Sequence, residues 1–165
     1  MKILVFSDSH KNVADLLDVI EREKPDRVMH LGDHLHDAED LQYAFDRIPF
    51  TCVPGNCDYA PTSPGELLTE LGGVRLFLAH GHQYGVKGGT DRLLARALSL
   101  QAQIALFGHT HRPYLEQRSG IWLMNPGASQ RSGKQTYGEI LITGGRISCR
   151  ICDFYDEVLS HDSRH

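Results

Sequence analysis

Five short polar motifs punctuate this chain: Asp8-Ser9-His10, Gly32-Asp33, Gly55-Asn56-Cys57-Asp58, His80-Gly81-His82 and Gly108-His109-Thr110-His111. Taken singly, each has an ordinary reading. Asp-x-His makes a turn, an Asp after Gly caps a helix, Gly-Asn is a common turn, and His-x-His recurs on loops by chance. Together they offer imidazole, carboxylate and amide donors, a mixed set that suits borderline divalent ions such as Mn²⁺, Fe²⁺, Co²⁺, Ni²⁺ or Zn²⁺. Magnesium alone prefers oxygen donors. Histidine is the commonest side-chain metal ligand and the usual proton shuttle, and the chain holds ten.

The elements around the motifs explain why they would converge. Each motif directly follows a short apolar run, Ile3 to Phe6, Arg27 to Leu31, Thr51 to Val53, Val74 to Ala79 and Ile104 to Phe107, read here as five strands. Helical spacing separates several of them. Asn12 stands where it would cap a helix carrying Val13, Leu16, Leu17 and Ile20, with Pro25 at its exit. Leu41, Ala44, Phe45 and Ile48 repeat that spacing, and Thr90 precedes Leu93, Leu94, Ala97 and Leu98. Alternating strand and helix implies parallel pairing with right-handed crossovers. In such sheets ligands bind at the carboxyl ends of the strands, which is where all five motifs fall.

The stretch after Pro54 is read as an irregular connection with one short helix around Leu67 to Leu71. From Ile121 onward only strands are expected, over Ile121 to Met124, Thr136 to Ile142 and Arg146 to Phe154, with Gly144-Gly145 as a hairpin turn. This gives an α/β chain with added antiparallel strands. Residues 1–155 are expected to form a single domain and residues 156–165 a polar, frayed tail. An exposed edge in the C-terminal sheet would allow a homo-oligomer.

Composition excludes several classes. With 17 basic and 21 acidic residues the formal charge is −4, which argues against a nucleic-acid partner needing a basic face. No apolar run approaches the ~18–20 residues of a membrane span. The apolar start falls short of the ~7–15 residues of a secretory core, so a cytoplasmic protein is expected. Four cysteines do not suggest a disulfide framework. Cys149 and Cys152 form one C-x-x-C whose odd spacing would point them to opposite faces of a strand, as reduced, buried thiols.

The motif order D-x-H, G-D, G-N-x-D, H-G-H, G-H-x-H resembles the calcineurin-like metallophosphoesterase superfamily. The short length and Cys57 make it look most like the small bacterial and archaeal phosphodiesterase branch. Asn125-Pro126-Gly127-Ala128 extends the likeness, with Ala128 where that branch usually has Ser. The resemblance covers Met1 to about Phe154. It implies a four-layer α/β/β/α sandwich and two divalent metal ions, manganese first among the candidates. It also implies a ligand set, with Asp8, His10 and His111 on one ion, Asn56, His80 and His109 on the other, and Asp33 bridging. Two such ions ~3.5–4 Å apart polarise phosphorus–oxygen bonds and lower the pKa of a bridging water. The implied activity is hydrolysis of small phosphodiesters by a metal-bridging hydroxide, with Asp33, Asn56 and His82 as the residues at the chemistry.

Other residues are placed more simply. His82 is expected to reach the substrate phosphate or a ligand. His34 and His36 are expected on a solvated loop, Gly88-Gly89-Thr90 as a helix cap, His30 as a satisfied core histidine, and Asp58 beside His80 or His82. Many metallophosphoesterases carry His where Cys57 stands, and that His can protonate the leaving oxygen. The rival function is a non-catalytic interaction scaffold, because a retromer subunit resembles this fold. All seven ligand positions are competent here, which favours catalysis. A nuclease is disfavoured by the acidic balance, and a protein phosphatase by the short length.

Overall fold

Alternation along the first strand already requires two covering layers. In β1 (Lys2–Phe6) Ile3 and Val5 face one way and Leu4 and Phe6 the other, and all four are fully buried. The computed structural model describes residues 1–59, 61–155 and 158–163. After β1 come α1 (Val13–Glu23), β2 (Arg27–His30), α2 (Leu35–Ala44) and β3 (Phe50–Cys52). Strands β1, β2 and β3 are parallel, as the alternation of strand and helix predicts. Then follow β4 (Glu66–Leu71), β5 (Val74–Ala79), a 3₁₀ turn (His82–Tyr84), α3 (Asp91–Ser99) and β6 (Ile104–Leu106). The chain continues through β7 (Tyr114–Arg118), β8 (Ile121–Asn125), β9 (Thr136–Thr143), β10 (Arg146–Asp153) and β11 (Val158–Ser163).

Two sheets result, one ordered β11-β10-β9-β1-β2-β3 and the other β4-β5-β6-β8-β7. Between them lies a core of Ile3, Val5, Met29, Leu76, Leu78, Ile104, Leu106, Trp122, Met124 and Ile140. On the outer face of the first sheet, Leu4, Phe6 and Val28 pack against Leu16, Val19 and Ile20 of α1 and Leu41 of α2. On the outer face of the second, Phe77, Ala105 and Leu123 pack against Leu93, Leu94 and Ala97 of α3. The layers are therefore α/β/β/α. Each fully buried leucine or isoleucine contributes about 1.5–3 kcal/mol, so the double burial of β1 fixes its register and aims residues 8 and 10 at the sheet end.

Four local expectations change. Residues Leu67 to Leu71 form strand β4, not a helix. Leu67, Leu68 and Leu71 fit a helical spacing, but Leu67 and Leu71 face the inter-sheet core while Leu68 faces α3. Gly72-Gly73, both at positive φ, close the hairpin to β5, a turn that needs left-handed backbone at both positions. Strand β7 was hidden by its polar composition and is tied to β8 through a Ser119-Gly120 turn. Asn12 stands at the start of α1 but does not cap it. Its amide donates to the Ser129 carbonyl at 2.7 Å and its oxygen accepts from Arg131. Within the expected tail, Val158–Ser163 pairs as β11 along β10, because β10 would otherwise offer an open hydrogen-bonding edge. Residues 156, 157, 164 and 165 lie outside the described residues. The expected sheet edge is thus β11. The Gly144-Gly145 hairpin forms as read, and Cys149 and Cys152 enter different cores, Cys149 between the sheets and Cys152 under α1.

Candidate metal centre

The five strand ends bring the motifs together. Asp8 is fully buried at the end of β1, Asp33 is buried after β2, and His80 is fully buried after β5. His10, His109 and His111 project from the loops after β1 and β6. Asp8, His10, Asp33 and His111 each offer an atom such that all four lie within 4.8 Å of one another. The rings form two groups. His10 lies 5.5 Å from His111 and 4.8 Å from His34, while His80 lies 5.1 Å from His109 and 5.5 Å from His82. The two carboxylates sit between the groups. Asp8 Oδ1 is 3.1 Å from His111 Nε2 and 3.9 Å from His80 Nε2, and Asp33 Oδ1 is 3.5 Å from His80 Nε2.

Hydrogen bonds set which atoms remain available. His80 Nδ1 donates to the Leu31 carbonyl at 2.7 Å. A carbonyl only accepts, so in the neutral ring the proton is on Nδ1 and Nε2 presents a lone pair. Asp8 Oδ2 accepts from Ser7 Oγ at 2.7 Å and from the His109 N–H at 3.1 Å. Asp8 Oδ1, His10 Nε2 and His80 Nε2 are buried atoms with no hydrogen-bond partner. Buried polar atoms are normally satisfied. Such a set fits a cation.

Local backbone and charge agree. Asp8, His10, Lys11, Asp33, His34, His109 and His111 all have positive φ. A non-glycine residue held there costs on the order of 1–3 kcal/mol, and such strain gathers at functional sites. Small neighbours are also required. A Cβ on Gly55 would stand 2.1 Å from Asp33 Oδ1, and one on Gly108 would stand 2.1 Å from Ser7 Oγ. Burial, then the charge of His34, lowers the pKa of His10; burial, then His80 and Lys87, lowers that of His109. Both shifts favour the neutral ring, the form that ligates. Burial works against the Asp33 charge, but the Cys57 N–H and His80 hold its carboxyl below the usual range.

The partners of several supporting residues were not legible in the sequence. Asp58 contacts neither His80 nor His82. Its carboxylate accepts the backbone N–H groups of Asp33 at 2.9 Å, Leu35 at 2.7 Å and Gly55 at 2.7 Å, stitching two loops together. Asn125 donates to the Gly108 carbonyl and to Thr110 Oγ1, both at 2.9 Å, bracing the His109–His111 loop. His30 is buried and satisfied, as read. It accepts from the Gly32 N–H, and its Nε2 lies 3.0 Å from Ser9 Oγ, which donates to Asp37 at 2.6 Å. Asp37 also holds the Lys11 N–H at 2.7 Å.

The remaining candidates lie at the rim. Asn56 is exposed, with its amide 3.5 Å from Cys57 Sγ. His82 is exposed on the 3₁₀ turn. His36 is exposed in the first turn of α2, rather than on a loop, and contacts Glu39 at 2.9 Å. His34, just before α2, stacks beside His10. Thr90 precedes α3 without a side-chain cap bond, and its Oγ1 accepts from Arg118 at 2.9 Å.

Residues 1–143 match the family model described as the calcineurin-like phosphoesterase superfamily domain. The chain belongs to this superfamily. It is 33% identical over 130 residues to the probable metallophosphoesterase YsnB of Bacillus subtilis, an alignment covering 78% of this chain and 75% of that protein. It is 36% identical over 85 residues to the phosphodiesterase YfcE of Escherichia coli, covering 46% of this chain and 42% of that one. A crystal structure of Vps29 from Entamoeba histolytica complexed with zinc has a TM-score of 0.80 at 20% identity, covering 99% of this chain and 97% of that chain. At that identity the likeness speaks for the fold. As a calcineurin-like phosphoesterase the chain is a metal-dependent type, and the Asp8–His10–Asp33–His111 cluster is its candidate metal site. Among the described residues no helix is long and apolar enough to cross a membrane.

Proposed function

We propose that this protein is a two-metal phosphodiesterase acting on small phosphodiesters in the cytoplasm, with manganese as its first candidate metal. The observation that carries the reading is the convergence of Asp8, His10, Asp33 and His111 within 4.8 Å of one another, with Asp8 Oδ1, His10 Nε2 and His80 Nε2 buried and without a hydrogen-bond partner. Asp8, His10 and His111 would hold one ion, Asn56, His80 and His109 the other, and Asp33 both. Bound there, two divalent ions supply polarisation of the phosphorus–oxygen bonds and a water of lowered pKa. The chain's own residues do the rest. Leu31 and Asp8's partners, Ser7 and the His109 N–H, lock the donor atoms in place before substrate arrives, so little reorganisation remains. His82, exposed with its ring 5.5 Å from that of His80, would donate a hydrogen bond to a phosphate oxygen.

Hydrolysis adds water across one ester bond and yields a phosphomonoester and an alcohol. The departing oxygen needs a proton unless it is already a weak base. Burial, then Asp33, raises the Cys57 pKa, so the thiol is protonated at neutral pH but is a weak donor. Substrates with good leaving groups, aryl or nucleotide-like, are therefore favoured. The name of YfcE supports the diesterase class, and the free state of Cys52, Cys57, Cys149 and Cys152 supports a reducing compartment. A homo-oligomer through the β11 edge belongs to the same proposal. A second reading is a non-catalytic scaffold of the same fold, but that reading leaves the unpartnered atoms without a purpose. A screen of bis(4-nitrophenyl) phosphate against 4-nitrophenyl phosphate, with each candidate metal, separates the two. Diester turnover that depends on added metal supports the enzyme. Folded protein that binds no metal and turns over neither compound supports the scaffold.

A further inference from the structure

Beside the metal cluster lies a cleft of about 830 Å³ whose lining includes Lys87, Thr90, Thr110, Arg112, Pro113 and Tyr114. Its volume falls in the usual range of small-molecule sites. Thr110 sits between His109 and His111, so the cleft and the cluster share one loop, and the Lys87 charge reaches the His109 ring. The charge of the lining runs against that of the molecule. Lys87, Arg112 and Arg118 face a single carboxylate, Asp91, in a chain of net charge −4. Asp91 is already engaged, 2.6 Å from Arg118. Among the described residues neither Lys87 nor Arg112 has a carboxylate partner. The lining also carries apolar groups: Tyr114, half-buried with its ring 5.9 Å from that of Phe107, and Pro113 and Val86.

Two unpaired cations and an aromatic ring beside a phosphoester-processing centre suit a ligand that carries both a phosphate and a ring. We propose that this cleft binds the nucleotide half of a phosphodiester substrate, with its ring against Tyr114 and Pro113 and its phosphate between Lys87 and Arg112. The inference rests on the phosphodiesterase reading and names the substrate class for it. A nucleotide fills such a volume with room for water, and an exposed cation pair recognises its phosphate in a salt-dependent way.

The test uses the full chain freed of metal by chelation, so that binding is read without catalysis. Calorimetric titration with adenosine monophosphate is compared with adenosine and with inorganic phosphate. The monophosphate should bind more tightly than either, and Lys87→Ala and Arg112→Ala should each weaken it about tenfold. Arg47→Ala, exposed on another face, should leave binding as in the wild type. Monophosphate binding no tighter than that of inorganic phosphate overturns the proposal. So does a loss in the cleft variants no larger than in Arg47→Ala. Turnover of bis(4-nitrophenyl) phosphate by the metal-loaded wild type reads the underlying activity separately. Its absence, with monophosphate binding intact, overturns the substrate role while locating the failure in the phosphodiesterase reading.

Discussion

Replacing Asp58 with alanine removes the acceptor for three backbone N–H groups at once, those of Asp33, Leu35 and Gly55. A hydrogen bond to a charged group contributes about 1.5–3 kcal/mol. Asp58 is only half-buried, so water recovers part of each bond and the lower figure applies. Three such bonds give a loss of about 4.5 kcal/mol, a large share of a typical stability of about 5–15 kcal/mol. The functional consequence follows from the same bonds. Asp33 is held at positive φ, and releasing its N–H lets that residue relax away from the cluster. Asp58→Asn keeps an acceptor oxygen but loses the charge, and should fall between wild type and Asp58→Ala. Urea unfolding of chelated protein measures the stability term, and calorimetric manganese titration measures the site. If Asp58→Ala unfolds within about 1 kcal/mol of wild type and binds metal equally well, the stitching role is wrong.

Three further outcomes are expected. Asp33→Ala should lose both ions and turnover, whereas His111→Ala should mainly weaken one ion; metal analysis that finds two ions in Asp33→Ala contradicts the bridging assignment. Cys57→His should gain activity on diesters with poor leaving groups and flatten the dependence of rate on leaving-group pKa, by up to the ~10²-fold or more that general acid catalysis supplies; a flat dependence already present in the wild type would show that another residue delivers the proton. Burial pushes the His30 pKa down to about 4 from an ordinary 6.5. Above 6.5 its neutral ring adds no pH dependence, but as pH falls from 6.5 to 4 the unfolded chain takes up the proton first. Stability is therefore lost on acidification, by up to about 3 kcal/mol. His30→Gln should flatten that part of the stability–pH curve, and an unchanged slope in chelated protein would exclude His30 as its source.

The candidate site was legible because its residues are tied to strand ends, and strand ends are marked by where apolar runs stop. Asp8, Asp33, His80 and His109 could be located that way, with their convergence inferred from parallel pairing. The bonds that brace them were not legible, for a physical reason. Asp58, Asn125, Ser9 and Asp37 bind backbone amides, carbonyls or one another across long sequence separations, and no local spacing encodes such partners. The positive φ values of His10, His34 and His111 are equally silent in sequence, since only glycine advertises that conformation. In the fold, β4 was misread because three leucines fit two periods at once, although Gly72-Gly73 marked the hairpin. Strand β7 carries Glu116, Gln117 and Arg118 on a sheet edge, where burial imposes little pattern. Strand β11 forms along the open edge of β10, a long-range pairing that its polar sequence does not announce.

The central claim, two-metal diester hydrolysis at this cluster, is tested most directly by titrating chelated protein with manganese while following bis(4-nitrophenyl) phosphate turnover. Tightly bound ions should raise the rate to a plateau at two equivalents per chain. Turnover that is indifferent to manganese, or a plateau at one equivalent, would contradict it.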